Sequence, residues 1–292
     1  MSILIIGGTG VVGREILRTL SKSGLRARVL MRDPQLDLPL GMEAVKGDLS
    51  RPNTLEPALQ GVSRVFLLNA LTQDETQQGL NAVAAAKQAN VRRIVYLSVH
   101  RCHEALHIPH FATKQPVVAA IKASGMEWSI LEPNNFFQND GAFFTHAIAG
   151  GGVYPQPLGS VGISRVDTRD IAEAAVNCLT RDGFTDRHWP LVGPEALTGA
   201  RIAAAYTRLL GRKVQYAGDN LDAWDMAFKP FLPDWLRHDF RIMYEHFQAR
   251  GLKASAEDLA ACRWVVGHPP RSFDDYLHDV FLPIAERLTA PA

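Results

Sequence analysis

The chain has 292 residues, 47% hydrophobic and 21% charged, a balance that suits a globular protein burying a large core in one or two domains. Its 31 Lys and Arg against 30 Asp and Glu leave a net charge of +1, so electrostatics give no reason to expect nucleic acid or an anionic membrane surface. No apolar run reaches the ~18 residues of a membrane helix, the first strand expected at residue 3 leaves no room for a signal peptide, and Cys102, Cys178 and Cys262 are too scattered for a disulfide framework; together these point to the cytoplasm.

Residues 3–6, Ile-Leu-Ile-Ile, form an apolar run of the kind buried in a parallel sheet. Gly7, Gly8, Thr9, Gly10, Val11, Val12 and Gly13 follow. A helical pattern then begins, with Val12, Ile16, Leu17 and Leu20 on one face and a stop at Ser23-Gly24. Strand, glycine turn and helix are the context in which GxGxxG signals nucleotide binding. Gly8 and Gly10 let the backbone approach a pyrophosphate, Gly13 lets the helix pack on the strand, and the helix N-terminus faces the phosphates.

Residues 27–31 read as the second strand, ended at Arg32-Asp33-Pro34 because proline cannot continue the pairing. Residues 44–46 read as a short third strand, ending at Gly47-Asp48-Leu49, with a helix over 53–60. The fourth strand, 64–68, ends at Asn69. An alanine-rich helix over 76–89 leads to a fifth strand, 93–98, which ends on Ser98. A helix over 113–123 stops at Ser124-Gly125, and a sixth strand, 128–131, is closed by Glu132-Pro133. This alternation predicts an α/β fold with a doubly wound parallel sheet. Right-handed crossovers put the ligand at the carboxyl ends of the strands, where the glycine loop, Arg32, Asp48, Asn69, Ser98 and Pro133 sit.

Gly150-Gly151-Gly152 reads as a break closing a nucleotide-binding domain over 1–152. A helix over 171–179 and a further strand over 189–192 return to the sheet, so that about 166–193 completes that domain. Residues 194–292 read as a smaller, mostly helical substrate or lid domain. Its aromatic residues, Trp224, Phe228, Phe231, Trp235, Phe240, Tyr244 and Phe247, fit either an ordinary helical core or a lid over an apolar substrate.

Several segments carry a resemblance that spans nearly the whole chain. They are the glycine loop, Arg32-Asp33-Pro34, Gly47-Asp48-Leu49 and Leu55 through Val65. Further along come His110-Phe111-Ala112-Thr113-Lys114, and Glu132 through Asn139 with Glu132 where arginine is usual. The last two are Val166 through Ala172 and Gly267 through Phe273. Together they resemble the markers of the NmrA-like group, atypical short-chain dehydrogenase/reductases. The resemblance implies an NAD(P)-binding Rossmann sheet with a C-terminal substrate domain. It also implies a spread of functions: quinone, azo and triphenylmethane-dye reductases, relatives of plant isoflavone-type reductases, and cofactor-sensing regulators.

Arg32, about 20 residues beyond the glycine loop, bears on cofactor choice. An acidic residue there binds a ribose 2′-hydroxyl, whereas arginine holds a 2′-phosphate. The site therefore reads as one for NADP(H), with Arg14 as a second phosphate partner; Asp33 next door competes, and both arginines fit plain solvated surface as well. Asp48, with Leu49, is implied by the resemblance to meet the adenine amino group; alternatively Asp48 merely starts a loop. Family enzymes carry Tyr-x-x-x-Lys on a helix, yet none of the six tyrosines has a lysine four residues later. His110 and Lys114 occupy that frame. Lys114 is the candidate for the nicotinamide ribose, and His110 either donates a proton or lines the pocket. Ser98 matches the family serine loosely.

His103-Glu104-Ala105-Leu106-His107 spells the zinc-hydrolase pattern HExxH, which needs a helix to bring both imidazoles to one face. Pro109 bounds any such helix and Glu127, the third-ligand candidate, starts a strand, so no metal is expected. Two functions remain: an NADPH-dependent reductase of a small apolar, aromatic acceptor, or a cofactor sensor without turnover. The expected partner is a small molecule, not nucleic acid or membrane, with a homodimer left open.

Overall fold

The chain builds nine strands in the computed structural model, which describes residues 2–34 and 37–289. They are β1 (Ile3–Ile6), β2 (Ala27–Met31), β3 (Met42–Lys46), β4 (Arg64–Leu67), β5 (Arg93–Leu97), β6 (Glu127–Pro133), β7 (Val153–Tyr154), β8 (Arg187–Leu191) and β9 (Gln215–Tyr216). Seven of them form one parallel sheet in the order β3-β2-β1-β4-β5-β6-β8, while β7 and β9 pair separately. Alternation along β1 drives this. Ile3 and Ile5 enter the core on one face of the sheet, and Leu4 and Ile6 enter the core on the other.

The helices of the first half are α1 (Val11–Lys22), α2 (Leu55–Leu59), α3 (Glu75–Gln88), α4 (Pro109–Ala112), α5 (Lys114–Lys122) and α6 (Gln138–Phe143). Those of the second half are α7 (Thr168–Thr180), α8 (Gly199–Leu210), α9 (Leu221–Phe228), α10 (Asp234–Arg250), α11 (Ala256–Val266), α12 (Phe273–Tyr276) and α13 (Leu282–Thr289). One face of the sheet is covered by α1, α7 and α11, the last contributing Cys262, Val265 and Val266. The other face carries α2, α3 and α5. The doubly wound parallel sheet expected from the strand–helix alternation is what the chain forms.

Among the boundaries that differ from expectation, two have a clear physical reason. The sixth strand runs on through Glu132 and Pro133 instead of stopping before them. Pro133 lacks only a donor; its carbonyl still accepts from His100 N at 3.0 Å, and Asn134 N reaches Leu191 O at 2.9 Å. The helix expected from residue 113 starts at Lys114 and is preceded by the four-residue α4, with Pro109 in its first turn, where no N–H is needed.

A second core lies beyond the sheet and holds Phe137, Ile148, Tyr154, Tyr206, Trp224, Phe247 and Phe273. Of the C-terminal aromatics, Trp224, Tyr244 and Phe247 are buried, Phe228, Trp235 and Phe240 half-buried, and Phe231 exposed. At this core's centre Arg165 and Asp140 form a fully buried ion pair. Arg165 makes five hydrogen bonds: two to Asp140, one each to Asn135 Oδ1 at 2.9 Å and Tyr154 Oη at 3.3 Å, and one to the Phe136 carbonyl. Asp140 also accepts from Gln156 Nε2 at 2.7 Å and Tyr206 Oη at 2.9 Å. Burial works against the arginine's charge, and the Asp140 carboxylate more than offsets it, raising the guanidinium pKa.

Candidate functional site

The glycine loop leaves β1 with Gly7 at φ +85°, a left-handed conformation that disfavours side chains; a Cβ there would sit 2.5 Å from the Leu68 carbonyl oxygen. Gly13 is tighter still, since a Cβ would lie 2.1 Å from the Gly7 carbonyl oxygen. The helix and the loop therefore touch backbone to backbone. Gly10 caps α1 without any side-chain bond, and the first turn has no acidic residue. Its N–H groups and the positive end of the helix dipole are left for an anion.

A groove of about 390 Å³ runs from this loop over the ends of β2 and β3, lined by Gly7, Thr9, Arg32, Asp33, Asp48 and Leu49. Arg32 and Asp33 are both exposed there, and Arg14 is exposed outside the lining. Asp48 Oδ1 accepts from Ser50 N at 2.9 Å and Ser50 Oγ at 2.6 Å, which holds its carboxyl below the usual carboxylate range. Asn81 Nδ2 fixes the Leu49 carbonyl at 2.8 Å.

A cavity of about 380 Å³ opens at the ends of β5 and β6. Ser98 and Pro133 form its wall at the sheet, and Phe240, Met243, Tyr244 and Phe247 of α10 cover it. Asn135, Asn139 and Gln156 supply polar groups. Groove and cavity are neighbours: Ala70 and Thr72 line the first, and Leu71, between them, lines the second.

His110 faces this cavity from α4. Its Nδ1 bonds the Asp239 carboxylate of α10. Phe111 meets the ring edge-on at 4.8 Å, and Phe240 does so at 5.9 Å. Lys114 lines neither the groove nor the cavity. It is buried against the carboxylate of Glu75, which also accepts from Thr113 Oγ1 at 2.9 Å. Asn69 donates to the Glu75 carbonyl at 3.4 Å, and its buried Oδ1 has no partner among the described residues.

Sequence reasoning missed the support behind the cavity. His100 is buried, with Nε2 3.3 Å from Asp258 and Nδ1 3.2 Å from Asn134 Nδ2. Burial lowers the pKa of its imidazole, so the ring is read as neutral with its proton on Nε2. Asn134 in turn donates to the Leu252 carbonyl at 2.8 Å. Asp258 is also the reciprocal cap of α11 with Ser255, and that Ser-x-x-Asp spacing was the one signal available in the sequence.

The HExxH segment does not form the helix its chemistry requires. His103 and Glu104 lie in a 3₁₀ turn (Cys102–Glu104), and His107 sits beside His246, ring centroids 5.1 Å apart. Glu127 is held by Arg92 at 2.9 Å and Arg93 at 2.8 Å, at the start of β6. Asp170, Glu173 and His268 do bring ligand atoms together, but Arg271 binds both carboxylates and makes this an ion network.

Residues 1–259 match the NmrA-like family. The NAD(P)H azoreductase of Xenophilus azovorans is 31% identical over 278 residues, 94% of this chain and 96% of that one. A (4-alkanoyl-5-oxo-2,5-dihydrofuran-3-yl)methyl phosphate reductase of Streptomyces griseus is 33% identical, again over 94% and 96%. In fold, the chain is similar to the NADPH-dependent quinone oxidoreductase QOR2 of Escherichia coli, solved with NADPH. That match has a TM-score of 0.83, 23% identity, and coverage of 96% of this chain and 99% of that one. The chain belongs to the NmrA-like family.

Proposed function

We propose that the chain is an NADPH-dependent reductase that passes a hydride to a small apolar acceptor of quinone, azo or enone type. The carrying observation is the adjacency of the glycine-lined groove and the apolar cavity, whose walls meet at residues 70–72. The uncapped α1 terminus and the close backbone approach at Gly7 and Gly13 suit a dinucleotide diphosphate. The bound nicotinamide supplies the hydride.

The chain's own residues hold and aim the reactants. Gly7 through Gly13 cradle the diphosphate, Arg32 meets the 2′-phosphate, and Asp48 and Leu49 flank the adenine. Ser98 and Pro133 line the cavity at the sheet, and Asn69 is buried next in sequence to the groove-lining Ala70. Lys114 is assigned to the nicotinamide ribose from its place in the family frame, although it pairs with Glu75 and lines neither groove nor cavity. Phe240, Met243 and Phe247 exclude water from the acceptor, and His110 returns a proton to it. The buried, free Cys102, Cys178 and Cys262 suit a reducing compartment, and we place the protein in the cytoplasm.

The test is NADPH oxidation by purified protein across quinones, azo dyes, triphenylmethane dyes and enones. Saturable turnover of one class supports the reading. Tight NADPH binding with no turnover of any class would instead leave a cofactor sensor, which the burial of Lys114 against Glu75 favours.

Arg32 carries a separate expectation. Losing a charge-assisted bond to the 2′-phosphate costs roughly 10- to 100-fold in affinity. Arg32→Ala is expected to weaken NADPH by that factor and NADH hardly at all, as measured by calorimetry. Equal weakening of both would show that Arg32 does not recognise the 2′-phosphate.

A further inference from the structure

We infer that Asp239 is the positioning residue for His110, fixing which imidazole nitrogen meets the acceptor; this rests on the reductase reading above. The two residues are 129 positions apart, one on α4 and the other on α10. Asp239 is 4% exposed, beside Phe240 and close to the apolar cavity wall. Among the described residues His110 is its one hydrogen-bond or ion-pair partner. Both arginines two positions away are committed elsewhere: Arg237 binds Asp225, Asp234 and the Leu232 carbonyl, and Arg241 binds Asp222 and Glu245.

A carboxylate buried in this way is a poor source of stability. Desolvation offsets most of the attraction to its partner, and apolar residues of similar volume commonly do as well or better. What the pair does provide is orientation. A carboxylate accepts only, so the hydrogen in the Asp239–His110 bond belongs to Nδ1. Nε2 has no hydrogen-bond partner among the described residues, and the ring lines the cavity. Phe111 and Phe240, both edge-on to the imidazole, limit its rotation.

The chemistry balances with this geometry. Hydride brings two electrons and one hydrogen to the acceptor, leaving negative charge on its oxygen or nitrogen. The imidazolium Nε2–H gives its proton to that atom. A quinone becomes a hydroquinone, an enone the enol that tautomerises to its saturated ketone, and an azo compound a hydrazine. The ring is left neutral with its remaining proton on Nδ1, against Asp239, and solvent restores the other through the mouth at the exposed Phe143.

The experiment uses the full chain with NADPH and the best acceptor of the panel. It compares Asp239→Asn, His110→Ala and the double variant, and follows His110 by long-range ¹⁵N NMR of histidine-labelled protein. The expected result is an Nδ1–H tautomer in the parent once the ring is neutral, and a fall in kcat of roughly 10²-fold or more for Asp239→Asn. The KM for NADPH should stay within about twofold. Asp239→Asn added to His110→Ala should cost nothing further, because the two act as one unit. An Nε2–H tautomer in the parent would overturn the inference. So would a normal kcat for Asp239→Asn alongside a crippled His110→Ala. If no acceptor is turned over, the reductase reading fails, and the tautomer measurement still decides the role of Asp239.

Discussion

Replacing Arg165 by methionine is expected to destabilise the fold by about 3–5 kcal/mol, among the largest effects available to a single substitution here. The arginine is fully buried and uses all five of its N–H donors, so nothing in the site accommodates its loss. Its removal strands Asp140 with only Gln156 and Tyr206 as hydrogen-bond donors among the described residues. It also leaves the Phe136 carbonyl with only Asn139 N, at 3.3 Å, and frees Asn135 Oδ1; both residues border the cavity. Urea denaturation is the measurement, and a change below ~1 kcal/mol, an ordinary single-mutation effect, would show that water or rearranged side chains replace the guanidinium. The paired change Arg165→Met with Asp140→Leu should recover part of the loss, because it removes both charges together.

His110→Ala is expected to lower kcat by roughly 10²–10⁴-fold, with NADPH affinity little changed. The affinity should hold because His110 lines the cavity and not the groove over β2 and β3. Steady-state kinetics and a separate NADPH titration check the two halves. Steady turnover that survives the substitution unchanged would mean that water supplies the proton. It would end the role assigned to His110 and leave the reductase standing.

The sheet was legible because its signals are local. Apolar runs such as Ile3-Leu4-Ile5-Ile6, stops such as Ser23-Gly24 and the glycine loop each act within a few residues. The small α4 escaped because four residues carry no periodicity. The candidate site was legible only on one side of each contact. His110 and Lys114 stand out by their spacing, but Asp239 lies 129 positions from His110, and Glu75 lies 39 from Lys114. No pattern in a single sequence links such distances. Arg165 and Asp140 were hidden for a related reason: charged residues usually mark solvent, and only the closed hydrogen-bond network around the pair permits their burial.

The late return of α11 to the sheet has a consequence for how the protein is made. Every strand of the large sheet is complete once Leu191 has been synthesised. The helix that covers β8, bringing Cys262, Val265 and Val266, is not finished until residue 266. At synthesis rates of about 5–20 residues per second, that interval lasts several seconds. During it the growing chain shows the ribosome's surroundings a strand whose Trp189 and Leu191 have only part of their final cover. Premature release in this window, from a stalled ribosome or an early stop codon, yields a product with a near-complete sheet and an apolar edge, prone to associate with its own kind.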